Sequence, residues 1–413
     1  MSAPIDVVVI GAGPYGLSLA AHLRGKGISH RIFGKPMETW RERMPHGMLL
    51  KSDGFASNLS APAAGYTLRD YCEVKGIAYD DTKIPVQLET FIDYGMWFQR
   101  QLVPELDTRN VTEIHRLDGE YLIRTEDGEE LAARRVVLAV GIREFAWIPP
   151  ELGDLPGELL THSSQHPDPA AMAGRDVTVI GGGASAIDLA VLMHEQGAKV
   201  CILAHQENIR FHLPPPAGKR SLWAQLRHPS SGLGPGWRSR IYTQVPRLFR
   251  QLPAAVRLHI VRTHLGPAPG WPMRERARGV AMILGANGVR AEAYGDGVLL
   301  RYVDRAGREA EHQTGHVIAA TGYRADVRRL RYLSPAIRQH LRTQGDAPML
   351  SGEFESSVPG LYFVGLASAN SFGPMMRFAF GANYTAPRLA GHLERQVKAR
   401  LPKLAVSPSH ALN

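Results

Sequence analysis

The chain has 413 residues, 44% of them hydrophobic and 21% charged, with a formal net charge of +9. That length suits two domains, and the composition excludes disordered, collagen-like and disulfide-stapled chains. The two cysteines, Cys72 and Cys201, form no CxxC pair, which argues against zinc ribbons and dithiol centres and fits a cytoplasmic location.

The first ten residues hold Asp6 and no basic residue, unlike a secretory leader, and no uncharged apolar run is long enough to span a membrane. IDVVVI, residues 5–10, is a β-branched run that leads into the turn Gly11-Ala12-Gly13-Pro14-Tyr15-Gly16. LSLAAHLRGKG then carries a helical pattern and HRIFG a second strand, which makes a βαβ opening. Glycines at 11, 13 and 16 allow a tight turn and close approach to a pyrophosphate, and the helix N-terminus holds the anion. The acid expected about 20 residues on, for a ribose hydroxyl, is missing: Gly34 and Lys35 stand there, so Lys35 or a backbone group is the expected contact.

TLRDYCEVKG and TFIDYGMWFQRQL read as helices. Residues 111–141 read as a small meander that ends in a buried strand, Val136 to Val140. A proline-rich joint, WIPPELGDLPG, precedes a second βαβ unit that opens at Asp176. Its turn, Gly181-Gly182-Gly183-Ala184-Ser185-Ala186, follows the GxGxxA variant. Its acid is also absent. The next strand ends at Ala204 and His205, and Arg210 lies just beyond, which suits a 2′-phosphate and hence NADPH rather than NADH. Two such turns imply two dinucleotides, and the common redox pair is a flavin with a nicotinamide.

Residues 206–280 hold 12 Arg and one Lys against Glu207 and Glu275, a local net charge of +11. IYTQVPRLFRQL places Ile241, Val245, Leu248, Phe249 and Leu252 on one helical face. Three readings follow, in descending order: a domain-packing helix with a solvated basic face, a lid favouring anionic or apolar substrates, and a membrane-surface contact. No nucleic-acid-binding motif accompanies the arginines. His162 and His166 share a spacing that metal ligands use, but the prolines and serines around them indicate a loop, and no metal site is expected. The chain then returns to strands and closes with a strand, a turn and a helix.

With both turns in place, the sequence resembles the class B flavin-dependent monooxygenases: the microsomal-type flavin monooxygenases, the Baeyer–Villiger enzymes and the ornithine or lysine N-hydroxylases. VVLAVG, ending at Gly141, is similar to the group's strand that closes the first FAD segment. VIAATGY, with Thr321 and Gly322, looks like the ATGY linker, and GLYFVG, ending at Gly365, like the last FAD-contacting strand. GMLLKS is similar to the N-hydroxylase stretch whose lysine lies by the flavin and nicotinamide, which carries over to Lys51, with Ser52 beside it. The resemblance implies an α/β fold of two Rossmann-like dinucleotide-binding domains, the NADPH domain (161–309) inserted in the FAD domain (1–160 and 310–413). It implies an FAD-dependent, NADPH-consuming enzyme that inserts one oxygen atom of O2 into a small organic substrate through a C4a-(hydro)peroxyflavin, with N- or heteroatom hydroxylation favoured. Baeyer–Villiger chemistry and a non-oxygenating NADPH-flavin oxidoreductase are the alternatives. Lys51, Asn370 and Arg377 are the expected polar groups at the flavin. Trp40 covers the ring, and backbone N–H groups from Phe372 to Met376 bind its pyrimidine oxygen.

Three departures stand out. In LPGELLTHSSQHP, Leu155 replaces the group's Phe, one extra residue separates Gly157 from His162, and His166 sits where an aromatic belongs, with Pro167 following as in the Baeyer–Villiger form. His316 precedes ATGY where Asp is common, and Leu366 follows GLYFVG where many flavoproteins have Asp.

Overall fold

A computed structural model describes residues 3–399 apart from 154, 217, 219, 220 and 267. β1 (Val7–Ile10) is buried along its length, as a strand covered on both faces must be. α1 (Pro14–Gly25) starts on a proline, at the position where a missing N–H is harmless, and β2 (His30–Phe33) returns parallel to β1. α2 (Glu38–Glu42), α3 (Leu68–Lys75) and α4 (Leu88–Leu102) fill the next stretch. A Thr67–Asp70 capping box starts α3, and left-handed Gly76 stops it. β3 (Val111–Leu117), β4 (Glu120–Thr125) and β5 (Glu130–Ala133) are the expected antiparallel meander. β6 (Val136–Leu138) rejoins β1.

The second unit contains β7 (Leu160–His162), β8 (Asp176–Ile180), α5 (Ala184–Glu195) and β9 (Lys199–Ala204). The basic stretch forms short helices: α6 (Leu222–Arg227), α7 (Trp237–Gln244), α8 (Pro246–Phe249), α9 (Ala254–Thr263) and α10 (Met273–Arg276). β10 (Ala281–Leu284) is followed by an antiparallel sheet of β11 (Asn287–Tyr294), β12 (Gly297–Val303) and β13 (Glu309–Thr314), then by β14 (His316–Ala319). α11 (Pro335–His340), the hairpin β15 (Thr343–Gln344) and β16 (Ala347–Pro348), β17 (Leu361–Phe363), α12 (Ala369–Phe372) and α13 (Ala382–Lys398) complete the chain.

Two parallel sheets organise these elements, in the orders β17-β6-β1-β2 and β10-β9-β8-β14-β7. The second is inserted in the chain between β6 and β17, so the fold is two Rossmann-like units, one inside the other. The sequence places the end of the inserted unit at residue 309. The sheet instead extends to β14, which lies between β8 and β7. All four residues of β14 are buried, and a strand of that kind belongs at the centre of a parallel sheet.

The single apolar helix expected at 241–252 is also corrected. Pro246 divides it into α7 and α8, because its ring removes a backbone donor and blocks the preceding turn. Of the five apolar residues expected on one face, only Phe249 is buried.

Candidate functional site

The first glycine turn is built by backbone crowding. Gly11 has φ +106, and a Cβ there would lie 2.4 Å from the Ala139 carbonyl oxygen at the end of β6. A Cβ on Gly16 would lie 1.8 Å from the Gly11 oxygen, so Gly16 sits beneath the turn and lets α1 pack on it. Gly13 differs: a Cβ there meets nothing within 4 Å. Gly13 is also the N-cap of α1 and offers no capping side chain, so the first N–H groups of the helix stay open to a ligand.

That open end faces a cavity of about 510 Å³. Gly11, Gly13, Pro14, Tyr15, Lys35, Trp40, Gly141, Gly365 and Arg377 all line it, so nine of the predicted residues share one space. Trp40 is held edge-on against buried Phe91, with ring centroids 4.7 Å apart. The Tyr15 hydroxyl donates to the Phe378 and Met376 carbonyls at 2.8 and 3.1 Å, tying α1 to the closing segment. Arg377 donates to the carbonyls of Val261 (3.1 Å) and His264 (3.3 Å), joining the cavity wall to α9. Burial lowers its guanidinium pKa.

Among the lining residues that the sequence did not single out is an acid. Glu38 stands in the cavity wall and pairs with Arg143, another lining residue, at 2.9 Å. Met37, left-handed at φ 54, starts α2 and brings Glu38 round to the cavity. An acid therefore stands 22 residues beyond Gly16, where the sequence pointed to Lys35. Lys35 itself is half exposed, 3.9 Å from Glu42.

The remaining flavin-side expectations lie outside the cavity lining. Phe372 is fully buried and stacks on Phe354 at 4.1 Å, as core. Asn370 Nδ2 donates to the Gln344 carbonyl, and its own carbonyl accepts from Arg257. Ser52 bonds to Ser57 at 2.8 Å. Lys51 points to the second unit: its Nζ lies 2.5 Å from Oδ2 of Asp188 on α5. Asp188 is 1% exposed, and burial raises its carboxyl pKa while Lys51 opposes the rise.

At the second turn Gly183 is the uncapped N-cap of α5, with Ala184 and Ser185 in its first turn. Gly181 has φ +140, and a Cβ there would lie 2.6 Å from the Ala320 oxygen. Ala186 packs fully buried behind it. Arg210 is exposed beyond this turn. Gln206 is nearer: its Oε1 would lie 2.2 Å from a Cβ on Gly182 and is buried without a hydrogen-bond partner among the described residues. It is the better-placed acceptor and was not singled out by the sequence.

A buried histidine network lies in the second unit and reaches Gly322 at its edge. The Glu158 carbonyl accepts from His316 Nδ1 (2.8 Å), so His316 Nε2 accepts from the Thr161 hydroxyl (2.8 Å). Thr161 in turn accepts from His166 Nε2 at 2.7 Å. His162 Nε2 donates to the Gly322 carbonyl at 3.1 Å, while Nδ1 accepts from the Ser164 backbone. The two histidines of the 162/166 pair thus serve different partners. Burial lowers the pKa of His162 and His316, and lowers that of His166 to about 4, with His316 contributing. Thr321 donates from its hydroxyl to the Trp147 carbonyl, and Trp147 N–H donates to Gly322, so both ATGY residues clamp the joint.

The model of the family described as pyridine nucleotide-disulphide oxidoreductase matches residues 5–226. An FAD-dependent urate hydroxylase of Xanthomonas campestris is 29% identical over 205 residues, covering 46% of this chain and 43% of that protein. A ferredoxin–NADP reductase of Saccharopolyspora erythraea is 27% identical over 212 residues, covering 50% and 56%. The chain spans about half the length of these relatives. Among solved structures, an ornithine N-hydroxylase of Kutzneria sp. 744 superposes with a TM-score of 0.74 at 17% identity, over 96% of this chain and 100% of that one.

Proposed function

The chain belongs to the pyridine nucleotide-disulphide oxidoreductase family, and on that premise we propose that it is an FAD-dependent, NADPH-consuming monooxygenase acting on a small organic substrate. The observation that carries the proposal is the cavity at the open N-terminus of α1, walled by the first glycine turn and the closing segment together. The residues there fit FAD. Gly11 to Gly16 seat a diphosphate on the helix N-terminus. Glu38, held by Arg143, accepts from ribose hydroxyls, and Trp40 walls the ring space. When bound, the flavin supplies electron transfer from nicotinamide to O2.

The rest of the assignment concerns this chain's residues. The turn Gly181 to Ser185 seats the nicotinamide dinucleotide, with Gln206 and Arg210 towards its ribose. Lys51 is a positioning residue. Through Asp188 it fixes the second unit against the first, and with it the distance between the two dinucleotide seats. Residues 1–150 and 320–399 form the flavin unit in this assignment, and 151–319 the nicotinamide unit.

The family's name includes disulphide chemistry, which needs a dithiol. Cys72 lies on α3 in the first unit and Cys201 on β9 in the second, so this chain's cysteines do not form one. The substrate class we favour is a nitrogen or other heteroatom nucleophile, on the likeness of GMLLKS and the match in fold to an N-hydroxylase.

The test is NADPH oxidation by the FAD-loaded protein with a panel of amines, sulfides and ketones under 18O2. One labelled oxygen atom in an amine or sulfide product is expected. NADPH-driven reduction of a ferredoxin or quinone, with no label in any product, is the result that refutes it.

A further inference from the structure

Two arginines of the segment 237–257 turn inward: Arg250 donates to the Leu350 carbonyl (3.0 Å), and Arg257 to the Asn370 carbonyl (2.9 Å) and Gln344 Oε1 (2.7 Å), while Arg238 stays exposed and Arg247 pairs with Glu353. Tyr242 and Phe249 pack together beneath, edge to face at 5.7 Å. The outward apolar stripe is Trp237, Ile241, Val245, Leu248, Leu252 and Val256, carried by α7, α8, the start of α9 and the turns between them, with Leu248 63% and Trp237 55% exposed. Beside it lies α6, whose Leu226 carbonyl accepts from Trp237 Nε1 at 2.9 Å and whose Trp223 is 82% exposed. Soluble surfaces rarely gather large apolar side chains in this way unless something covers them.

Charge identifies the cover. From residue 208 to residue 274 the sequence has no Asp or Glu, while Arg227, Arg238 and Arg262 stand exposed in the same region. A second copy meeting this face by two-fold symmetry would set arginines against arginines. A small substrate cannot span a stripe from Trp237 to Val256. Exposed tryptophans and aliphatics beside the exposed Arg227, Arg238 and Arg262, with Glu353 already paired to Arg247 and Arg388, match the interface of an anionic bilayer.

We propose that α6 to α9 dock this protein peripherally on an anionic membrane surface, with the Trp237–Val256 stripe seated at the headgroup boundary. No helix among the described residues is long and apolar enough to cross a membrane, so this contact is in the plane. It stands apart from the proposed oxidation chemistry and is read without any turnover.

The experiment is co-flotation of the full FAD-loaded chain with phosphatidylcholine vesicles, with and without 30% phosphatidylglycerol. Binding to the anionic vesicles is expected, weakened by salt, with little to neutral ones. Leu248→Asp is expected to weaken it about tenfold or more, since one exposed leucine buried in lipid contributes about 1.5 kcal/mol. Arg238→Gln and Arg262→Gln are expected to cost about fivefold each, from ~1 kcal/mol per cation at such a surface. These side chains are exposed, so an unchanged melting temperature and flavin content checks that each variant is folded. Equal binding to neutral and anionic vesicles, no binding to either, or variants that float like the parent overturn the proposal. So does a solution mass that halves in Leu248→Asp without vesicle binding, because a second copy then covers the stripe.

Discussion

Gly13→Val separates the ligand role of the first turn from its structural role. Gly13 has φ −84, a value open to any residue, and a Cβ there meets nothing within 4 Å. The fold should therefore lose no more than about 0.5 kcal/mol, as for an exposed substitution. The added isopropyl group projects into the cavity at the open end of α1, where a diphosphate would bond the first N–H groups. Two displaced hydrogen bonds to a charged group, at about 1.5–3 kcal/mol each, weaken FAD by about 3–6 kcal/mol, or a hundredfold to more than ten-thousandfold. The variant should purify colourless with the apoprotein's melting temperature. Gly11→Ala should do the opposite. At φ +106, with its Cβ 2.4 Å from the Ala139 oxygen, it strains the backbone by about 1–3 kcal/mol and forces the end of β6 to move. Its apoprotein should melt several degrees lower. FAD content and titration by flavin fluorescence, with thermal unfolding of both apoproteins, decide the matter. Gly13→Val retaining stoichiometric FAD, or melting as low as Gly11→Ala, refutes the reasoning.

Gly183→Val should keep FAD bound yet lose flavin bleaching by NADPH under anaerobic conditions; release of FAD instead would reverse the assignment of the two turns. Lys51→Met leaves the 1%-exposed Asp188 carboxyl without its cation and should cost about 3 kcal/mol in urea unfolding. Adding Asp188→Leu should recover most of that loss, and simple additivity of the two changes would show that the pair is not coupled. His166 has its pKa lowered from 6.5 to about 4, so the unfolded chain binds its proton first on acidification. The stability this contributes is present above pH 6.5 and is lost as pH falls from 6.5 to about 4, by at most about 3 kcal/mol. His166→Asn should flatten that part of the stability–pH curve measured by denaturant unfolding; an unchanged slope would assign it to His162 and His316.

The two glycine turns were legible because their signal is local: a buried strand, three small residues and a helix within 20 positions. What faces the ligand beyond them was less so. The end of β2 offered Lys35, but left-handed Met37 swings the chain so that Glu38 takes the wall of the cavity, and nothing in HRIFGKPME marks that turn in advance. Lys51 was singled out by likeness, yet its partner Asp188 lies 137 residues away on the other unit and had no signal of its own. β14 read as a strand, but its place between β8 and β7 is a property of the sheet and not of HVIA. The basic segment is the clearest case. Its periodicity grouped Phe249 with Ile241, Val245, Leu248 and Leu252, but Pro246 breaks the helix and Phe249 alone of the five is buried, because periodicity does not say which side chains find a core. The buried acceptors settle that here. The carbonyls of Leu350 and Asn370 and the side-chain oxygen of Gln344 come from the far end of the chain and accept from Arg250 Nε and from the two terminal nitrogens of Arg257. A guanidinium offers five donors and is left costly inside without acceptors, so where those acceptors sit, the arginines must point. The leucines and tryptophans are then turned outward by geometry, and the face that looked like core becomes the surface that needs a partner.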